Sequence, residues 1–175
     1  SPGLLFSFAL LGLFPLLARK VSAWLQGRRV YAKWQRPTRF DRNLVVIGGG
    51  AAGLVSAYIA AAVKARVTLI EAHKMGGDCL NYGCVPSKAL IKSARVAHQV
   101  RHGDRFGLTA LEPAFSFAKV MARVHAVIRD VAPHDSVERY TELGVEVLQG
   151  HARIVDPWTV EVTLNTGGTQ RLTTR

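Results

Sequence analysis

Residues 44–71 constrain the fold more than any other part of this chain. Four apolar residues, Leu44-Val45-Val46-Ile47, run directly into Gly48-Gly49-Gly50-Ala51-Ala52-Gly53. A short apolar run without polar alternation is the mark of a strand buried on both faces of a parallel sheet. Residues 54–64 are Ala-rich and read as a helix, and a second apolar run, residues 66–70, ends on Glu71. Strand, G-x-G-x-x-G, helix, strand and acid within about 30 residues is the opening unit of a dinucleotide-binding α/β fold. Each residue type answers a physical need. Gly48 permits the tight turn, and Gly50 lets backbone approach a pyrophosphate. Gly53 lets helix and strand pack closely, while the N–H groups of Ala51 and Ala52 at the helix start face the phosphates. Glu71 can accept hydrogen bonds from both ribose hydroxyls.

The rest of the composition narrows the class. Both cysteines of the 175-residue chain fall in one segment, which excludes a disulfide-dense scaffold and a four-cysteine metal site. The histidines His98, His102, His125, His134 and His151 read as unclustered, and no metal site is expected. The formal charge of +11 is concentrated in residues 1–42, where Arg19, Lys20, Arg28, Arg29, Lys33, Arg36, Arg39 and Arg42 face only Asp41. A basic arm of this kind is no nucleic-acid surface, and no nucleic-acid partner is expected.

Residues 1–18 carry no charged side chain. As a helix they would extend about 27 Å at ~1.5 Å per residue, just under the ~30 Å of bilayer hydrocarbon. Cations follow the apolar run instead of preceding it, unlike a cleavable signal peptide. Three segments are therefore expected: an apolar transmembrane or membrane-associated helix over 1–18, a basic juxtamembrane linker over 19–42, and a globular domain over 43–175. Trp24, Tyr31 and Trp34 suit a headgroup region, so residues 1–36 are expected to contact lipid, with residues 19–175 on the cytoplasmic side.

Shortly after the second strand region comes Gly76-Gly77-Asp78-Cys79-Leu80-Asn81-Tyr82-Gly83-Cys84-Val85-Pro86-Ser87-Lys88. Positions five apart in a regular helix have Cα atoms roughly 8–9 Å apart, beyond the ~7 Å limit for a disulfide. If the two cysteines pair, the segment is a broken helix or a loop, with Gly83 supplying the freedom. A cysteine near a helix start with Lys88 close by has two reasons for a lowered thiol pKa, and Asp78 beside Cys79 acts in the opposite direction.

These residues resemble the class I pyridine nucleotide–disulfide oxidoreductases, the family of dihydrolipoamide dehydrogenase, glutathione reductase and mercuric reductase, over roughly residues 42–165. The resemblance implies a Rossmann-like FAD-binding domain with a parallel sheet, helices and a small β-meander. FAD would be held by Gly48, Gly50, Ala51, Ala52, Gly53, Glu71, Ala72, Gly77, Asp78, Cys79 and Lys88. The segment Gly150-His151-Ala152 resembles the G-x-A stretch whose backbone meets the adenine. The resemblance further implies that Cys79 is the interchange thiol that attacks the substrate. Cys84 would be the thiol against the flavin, in charge-transfer contact, and Lys88 would sit near the flavin ring. NAD(P)H would be the electron donor, a disulfide, a metal ion or a related electrophilic small molecule the substrate, and the complete enzyme a homodimer. Asp78 stands where relatives carry Thr. The segment that returns to complete the flavin site, the nicotinamide domain and the dimerisation domain are not found in this sequence, so it reads as an N-terminal part, inactive by itself. A non-catalytic, membrane-anchored dinucleotide-binding or interaction module is the reading from another class.

Further along, Phe117, Val120, Met121, Val124, Val127, Ile128 and Val131 recur at helical spacing and predict an amphipathic core helix. A short helix over 135–143 and strands over 145–148, 152–155, 159–164 and 171–174 follow.

Overall fold

A computed structural model describes residues 2–175, with side chains from Leu13 onward. The chain divides into two units, one up to Thr38 and one from Arg39 to Arg175.

The first unit is built on helix α1 (Pro2–Tyr31), which runs unbroken through Pro15 and across Arg19 and Lys20. Arg28 lies over the Trp24 ring at 4.8 Å and Lys33 over Trp34 at 5.5 Å, so cations of this unit already cover two of its aromatics. The expected apolar segment 1–18 lies largely outside the described side chains. Among the described residues, no helix is long and apolar enough to cross a membrane. Physically, the apolar side chains from Leu13 are cut short by Arg19 and Lys20, with Arg28 and Arg29 in the same helix. The expected membrane-associated location, with residues 19–175 on the cytoplasmic side and residues 1–36 against lipid, is corrected on this ground.

The second unit begins with β1 (Leu44–Ile47), α2 (Ala51–Ala62) and β2 (Val67–Glu71). Next come α3 (Gly77–Asn81), α4 (Cys84–Arg101), α5 (Phe117–Val131) and α6 (Val137–Glu142). It ends in β3 (Val145–Asp156), β4 (Thr159–Leu164) and β5 (Thr169–Thr173). The five strands form one sheet in the order β1-β2-β3-β4-β5. β1 and β3 flank β2 in parallel, Leu44 opposite Val67 and Val67 opposite Val145; β4 and β5 then add antiparallel. This is the mixed α/β arrangement of a Rossmann-like domain carrying a small antiparallel extension.

The sheet's two faces explain the sequence pattern. Every residue from Val67 to Ile70 is buried. Leu69 packs with Leu54, Ala57 and Ala61 of α2 and Tyr140 of α6, while Ile70 joins Val160 and Val162 on the other face. Alternate side chains of one strand thus feed two cores. Thr68 is also fully buried; its hydroxyl donates to Glu146 and accepts from Arg42 Nε.

Three expectations change. Asp41 and Arg42, at the end of the stretch 19–42 expected as a linker, tie into the end of the sheet. Thr173 N donates to Asp41 Oδ2 at 2.9 Å, and Arg42 N to the Thr173 carbonyl at 3.0 Å. The Thr173 backbone N–H and then its hydroxyl hold the Asp41 carboxyl below its ordinary pKa. The two strands expected on either side of Gly150 are one strand, β3. A Cβ at Gly150 would lie 2.4 Å from the Thr163 carbonyl oxygen, so this glycine permits a close strand approach where composition suggests a break. Finally, α5 has its expected bounds, but among its apolar residues only Val124 is buried and Phe117 is 64% exposed. The helix packs mainly against α4, with smaller contacts to α3 and to the turn over 132–135, so only part of its stripe is covered.

Candidate functional site

The strand β1 leaves the sheet at Gly48, whose N–H donates to the Ile70 carbonyl at 2.7 Å. The chain then turns into α2, which starts from Gly50 in extended conformation with no side-chain cap. The first N–H groups of α2, from Ala51 and Ala52 onward, therefore meet no side-chain acceptor from the cap position, as an anion-binding helix start requires. A Cβ on Gly53 would stand 1.8 Å from the Gly48 carbonyl oxygen and 3.3 Å from Val46 Cγ1. Helix and strand are thus in backbone contact at this point.

Glu71, half-buried at the end of β2, turns its carboxylate onto this loop. Gly49 N donates to Oε2 at 2.6 Å, and His73 N donates to Oε1 at 2.7 Å. The carboxylate fixes the middle of the glycine turn from the neighbouring strand, a contact the linear sequence does not display. Ala72, next in the chain, accepts from Asn165 Nδ2 at 3.2 Å. Asn165 sits in the β4–β5 turn, and its N–H donates to the Gln149 carbonyl beside Gly150. It thereby ties Glu71's loop to the Gly150 region. There, His151 is exposed and Ala152 packs against the core that contains Ile70, Val160 and Val162.

The cysteine segment lies directly over the glycine turn. Gly76 N donates to the Gly49 carbonyl at 2.9 Å. Gly77 has φ +54°, and a Cβ there would lie 2.7 Å from Gly50 Cα. Met75 also reaches the turn: its Sδ would be 3.1 Å from a Cβ on Gly49. Asn81 Nδ2 holds the start of α3 by donating to the carbonyls of Met75, 3.1 Å, and Gly77, 2.8 Å. Sequence reasoning misses Met75, Asn81 and Asn165. Only Asn81 carries a local signal, a side-chain donor four residues after Gly77.

The helical path breaks between the cysteines. α3 ends at Asn81, the Asp78 carbonyl accepts from both Tyr82 N and Gly83 N, and α4 starts afresh at Cys84. The break brings the two free thiols near enough for Cys84 to act on the Cys79 thiol, with Cys79 half-buried and Cys84 exposed. The side-chain hydrogen bond to Cys84 pushes the Cys79 thiol above its ordinary pKa, helped by burial and by the charge of Cys84. The Cys84 backbone N–H and the Lys88 charge pull the other way without prevailing. Asp78 is not among the causes of the rise. A folded thiol with a raised pKa favours the protonated state. Its contribution to stability is full below the unfolded value and is lost as pH rises through the folded one. Removing the second thiol removes the main cause. Cys84→Ala is expected to move the pH midpoint of Cys79 alkylation downward. Iodoacetamide labelling near neutrality should then speed up, about tenfold if the midpoint falls by roughly one pH unit. Mass spectrometry of the labelled chain measures it.

The structure thus gathers Gly48, Gly50, Ala51, Ala52, Gly53, Glu71 and Gly77 around one turn. Cys79, Cys84 and Lys88 meet at the α3–α4 break that follows it. Two histidines depart from the expected scatter: His98 in the last turn of α4 and His102, the residue just past its end, have ring centroids 4.2 Å apart. That H-x3-H spacing is visible in the sequence, against the reading of these histidines as unclustered. Among the described residues, no group of three or more His, Cys, Asp or Glu forms a metal-binding cluster.

Comparison with known proteins agrees with this geometry. The family model described as pyridine nucleotide-disulphide oxidoreductase matches residues 42–174. The chain is 37% identical to a dihydrolipoyl dehydrogenase of Bacillus subtilis over 118 residues, 67% of this chain and 24% of that protein. It is 35% identical to a dihydrolipoamide dehydrogenase of Chaetomium thermophilum over 147 residues, 81% of this chain and 29% of that protein. A mercuric reductase of Streptomyces lividans is 37% identical over 137 residues, 77% of this chain and 28% of that protein. The chain thus spans only 24–29% of the length of these relatives. A match over the whole βαβ unit, the cysteine segment and the antiparallel extension places the chain in a family: it belongs to the pyridine nucleotide-disulphide oxidoreductases.

Proposed function

We propose that this chain is the flavin- and dithiol-bearing part of a disulfide oxidoreductase, in which Cys79 and Cys84 exchange electrons with a disulfide or related electrophilic substrate. The family uses FAD and NAD(P)H. The observation that carries the reading is the contact of the two motifs, with Gly76 N on the Gly49 carbonyl and Gly77 against Gly50, so that the dithiol helix starts on the dinucleotide turn. The residues present fit FAD. The start of α2 has no side-chain cap, and Gly50, Gly53 and Gly77 form a backbone cradle that side chains would fill.

In this reading Gly48, Gly50, Gly53, Gly77 and the N–H groups of Ala51 and Ala52 hold the pyrophosphate. Glu71 accepts from the adenosine ribose, and Ala72 with Gly150, His151 and Ala152 bounds the adenine. Asp78, Cys79 and Lys88 lie toward the ring system. Bound FAD supplies a two-electron link between the nicotinamide donor and the dithiol. NAD(P)H binding and the homodimer belong to the longer protein.

The protein's own chemistry is thiol–disulfide exchange. The Cys79 thiolate attacks one sulfur of a substrate disulfide, forming a mixed disulfide and releasing the other sulfur as a thiolate that takes up a proton. Cys84, across the α3–α4 break from Cys79, then attacks the Cys79 sulfur. A Cys79–Cys84 disulfide forms, and the second substrate sulfur leaves as a thiol. The dithiol loses two electrons and the substrate gains them. Lys88 stabilises the attacking thiolate by its charge.

The test uses the reduced chain and oxidised lipoamide as a small disulfide probe. The parent is expected to form the Cys79–Cys84 disulfide, and Cys84→Ser to stop at a mixed disulfide on Cys79. Cys79→Ser is expected to react at least tenfold more slowly. A Cys79→Ser chain that reacts through Cys84 as fast as the parent would reverse the roles.

A further inference from the structure

We propose that His98 and His102 form a chelating site at the C-terminal end of α4 for a late first-row divalent cation of the zinc, nickel and copper type. The site is separate from the dithiol. His98 and Cys84 are on the same helix, and their separation along it is about 21 Å at ~1.5 Å per residue.

Residues four apart on a helix share a face, and two histidines so placed are a recognised way to present two imidazole nitrogens to one metal ion. Here the rings already approach each other, with centroids 4.2 Å apart and planes 32° apart. Two nitrogens bound to one zinc at ~2.0–2.1 Å are roughly 3.3 Å apart, a spacing that neighbouring rings at this distance can reach.

The hydrogen bonding supplies a second, independent argument. His102 Nδ1 lies 2.8 Å from the His98 carbonyl oxygen. A carbonyl oxygen only accepts, so Nδ1 carries the hydrogen. In the neutral ring Nε2 then keeps its lone pair. A ligating histidine anchored through its other N–H to a backbone carbonyl is the usual outer-shell arrangement of metal sites. The anchor also fixes the ring before any ion arrives, which lowers the ordering cost of binding.

The side-chain charges nearby are mixed, Arg95, Arg101 and Arg105 against Asp104 and Glu112, and it is the helix end that favours a cation. The helix ends here, and its last carbonyls present the negative end of the dipole. Arg101, beside His102 in sequence, has its guanidinium on Glu112, with Nε 2.9 and 3.0 Å from the two carboxylate oxygens. His98 is exposed and His102 partly so, which leaves room for water to complete the shell. Imidazole donors with open positions select the nitrogen-preferring divalent metals over magnesium or calcium.

Zinc is the probe, titrated calorimetrically into the full chain after both thiols are blocked with iodoacetamide, so that any uptake by thiolates is excluded. One zinc per chain is expected. His98→Gln and His102→Gln are each expected to weaken uptake at least tenfold while circular dichroism stays that of the parent. Carbethoxylation of the two rings by diethylpyrocarbonate, read by mass spectrometry, provides a second measurement on the unsubstituted chain: zinc should protect both. Zinc uptake by both variants equal to the parent's, no uptake by the blocked parent, or labelling unaffected by zinc would overturn the site.

Discussion

Gly53→Ala is expected to unfold the βαβ unit and with it the dinucleotide site. The added methyl carbon would stand 1.8 Å from the Gly48 carbonyl oxygen, a backbone atom that cannot rotate away. Relief requires α2 to lift from β1, which separates Leu54, Ala57 and Ala61 from Val67, Leu69 and Val145. Overpacking in a fixed core costs about 1–3 kcal/mol where side chains can move. Here the obstacle is backbone, and the expected loss is about 3 kcal/mol or more. In an unfolding series with urea, the midpoint should fall sharply, and quenching of added FAD fluorescence should need at least tenfold more chain. Ser56→Ala, a few residues along the exposed face of the same helix, removes only a hydroxyl bonded to the Ala52 carbonyl and serves as the control. Equal midpoints for Gly53→Ala and the parent would show that the close contact does not exist in solution.

What the sequence discloses and what it withholds follow the range of the interactions. The apolar runs, the glycine turn and Glu71 are local, and β1, α2 and β2 stand where their patterns place them. The break between the cysteines is likewise legible as a geometric condition, because a regular helix would hold them apart. The long-range contacts are not. Nothing near Gly49 announces that its N–H meets the Glu71 carboxylate, and nothing near Gly150 announces the Thr163 carbonyl that forbids a side chain there. Gly150 reads as punctuation because glycine is ambiguous in one dimension: it serves a turn and a tight crossing equally well. The His98–His102 pair teaches the opposite lesson. Its spacing is local and available, yet the ring contact and the anchoring carbonyl give it chemical meaning. The apolar start of the chain misleads for a further reason. Hydropathy over residues 1–18 resembles a span, but the described helix continues through four cations to Tyr31, and that continuity is not a property of the first segment.

The second large effect is expected at Gly77, where the two motifs meet. Gly77→Ala meets two obstacles together. The residue has φ +54°, which an L side chain adopts at a cost of about 1–2 kcal/mol. The new methyl carbon would also lie 2.7 Å from Gly50 Cα and 3.3 Å from Gly50 N. Unlike Gly53, this contact does not join the sheet to α2, so the core around Leu69 and Val145 is disturbed only at its edge, where Met75 packs against it. The relief available is outward movement of the Met75–Asn81 stretch, which breaks the bond from Gly76 N to the Gly49 carbonyl and moves Cys79 away from the turn. The expected signature is a dissociation of properties. The urea midpoint should fall by the equivalent of only about 1–3 kcal/mol, less than for Gly53→Ala, while the FAD requirement rises at least tenfold. Exchange with lipoamide should persist, because the bonds from Tyr82 N and Gly83 N to the Asp78 carbonyl hold the start of α4 to the cysteine segment as it shifts. If FAD binding and unfolding instead change in the same proportion as in Gly53→Ala, the cysteine segment and the glycine turn form a single inseparable unit. If neither changes, the Gly50–Gly77 contact plays no part in holding the dinucleotide.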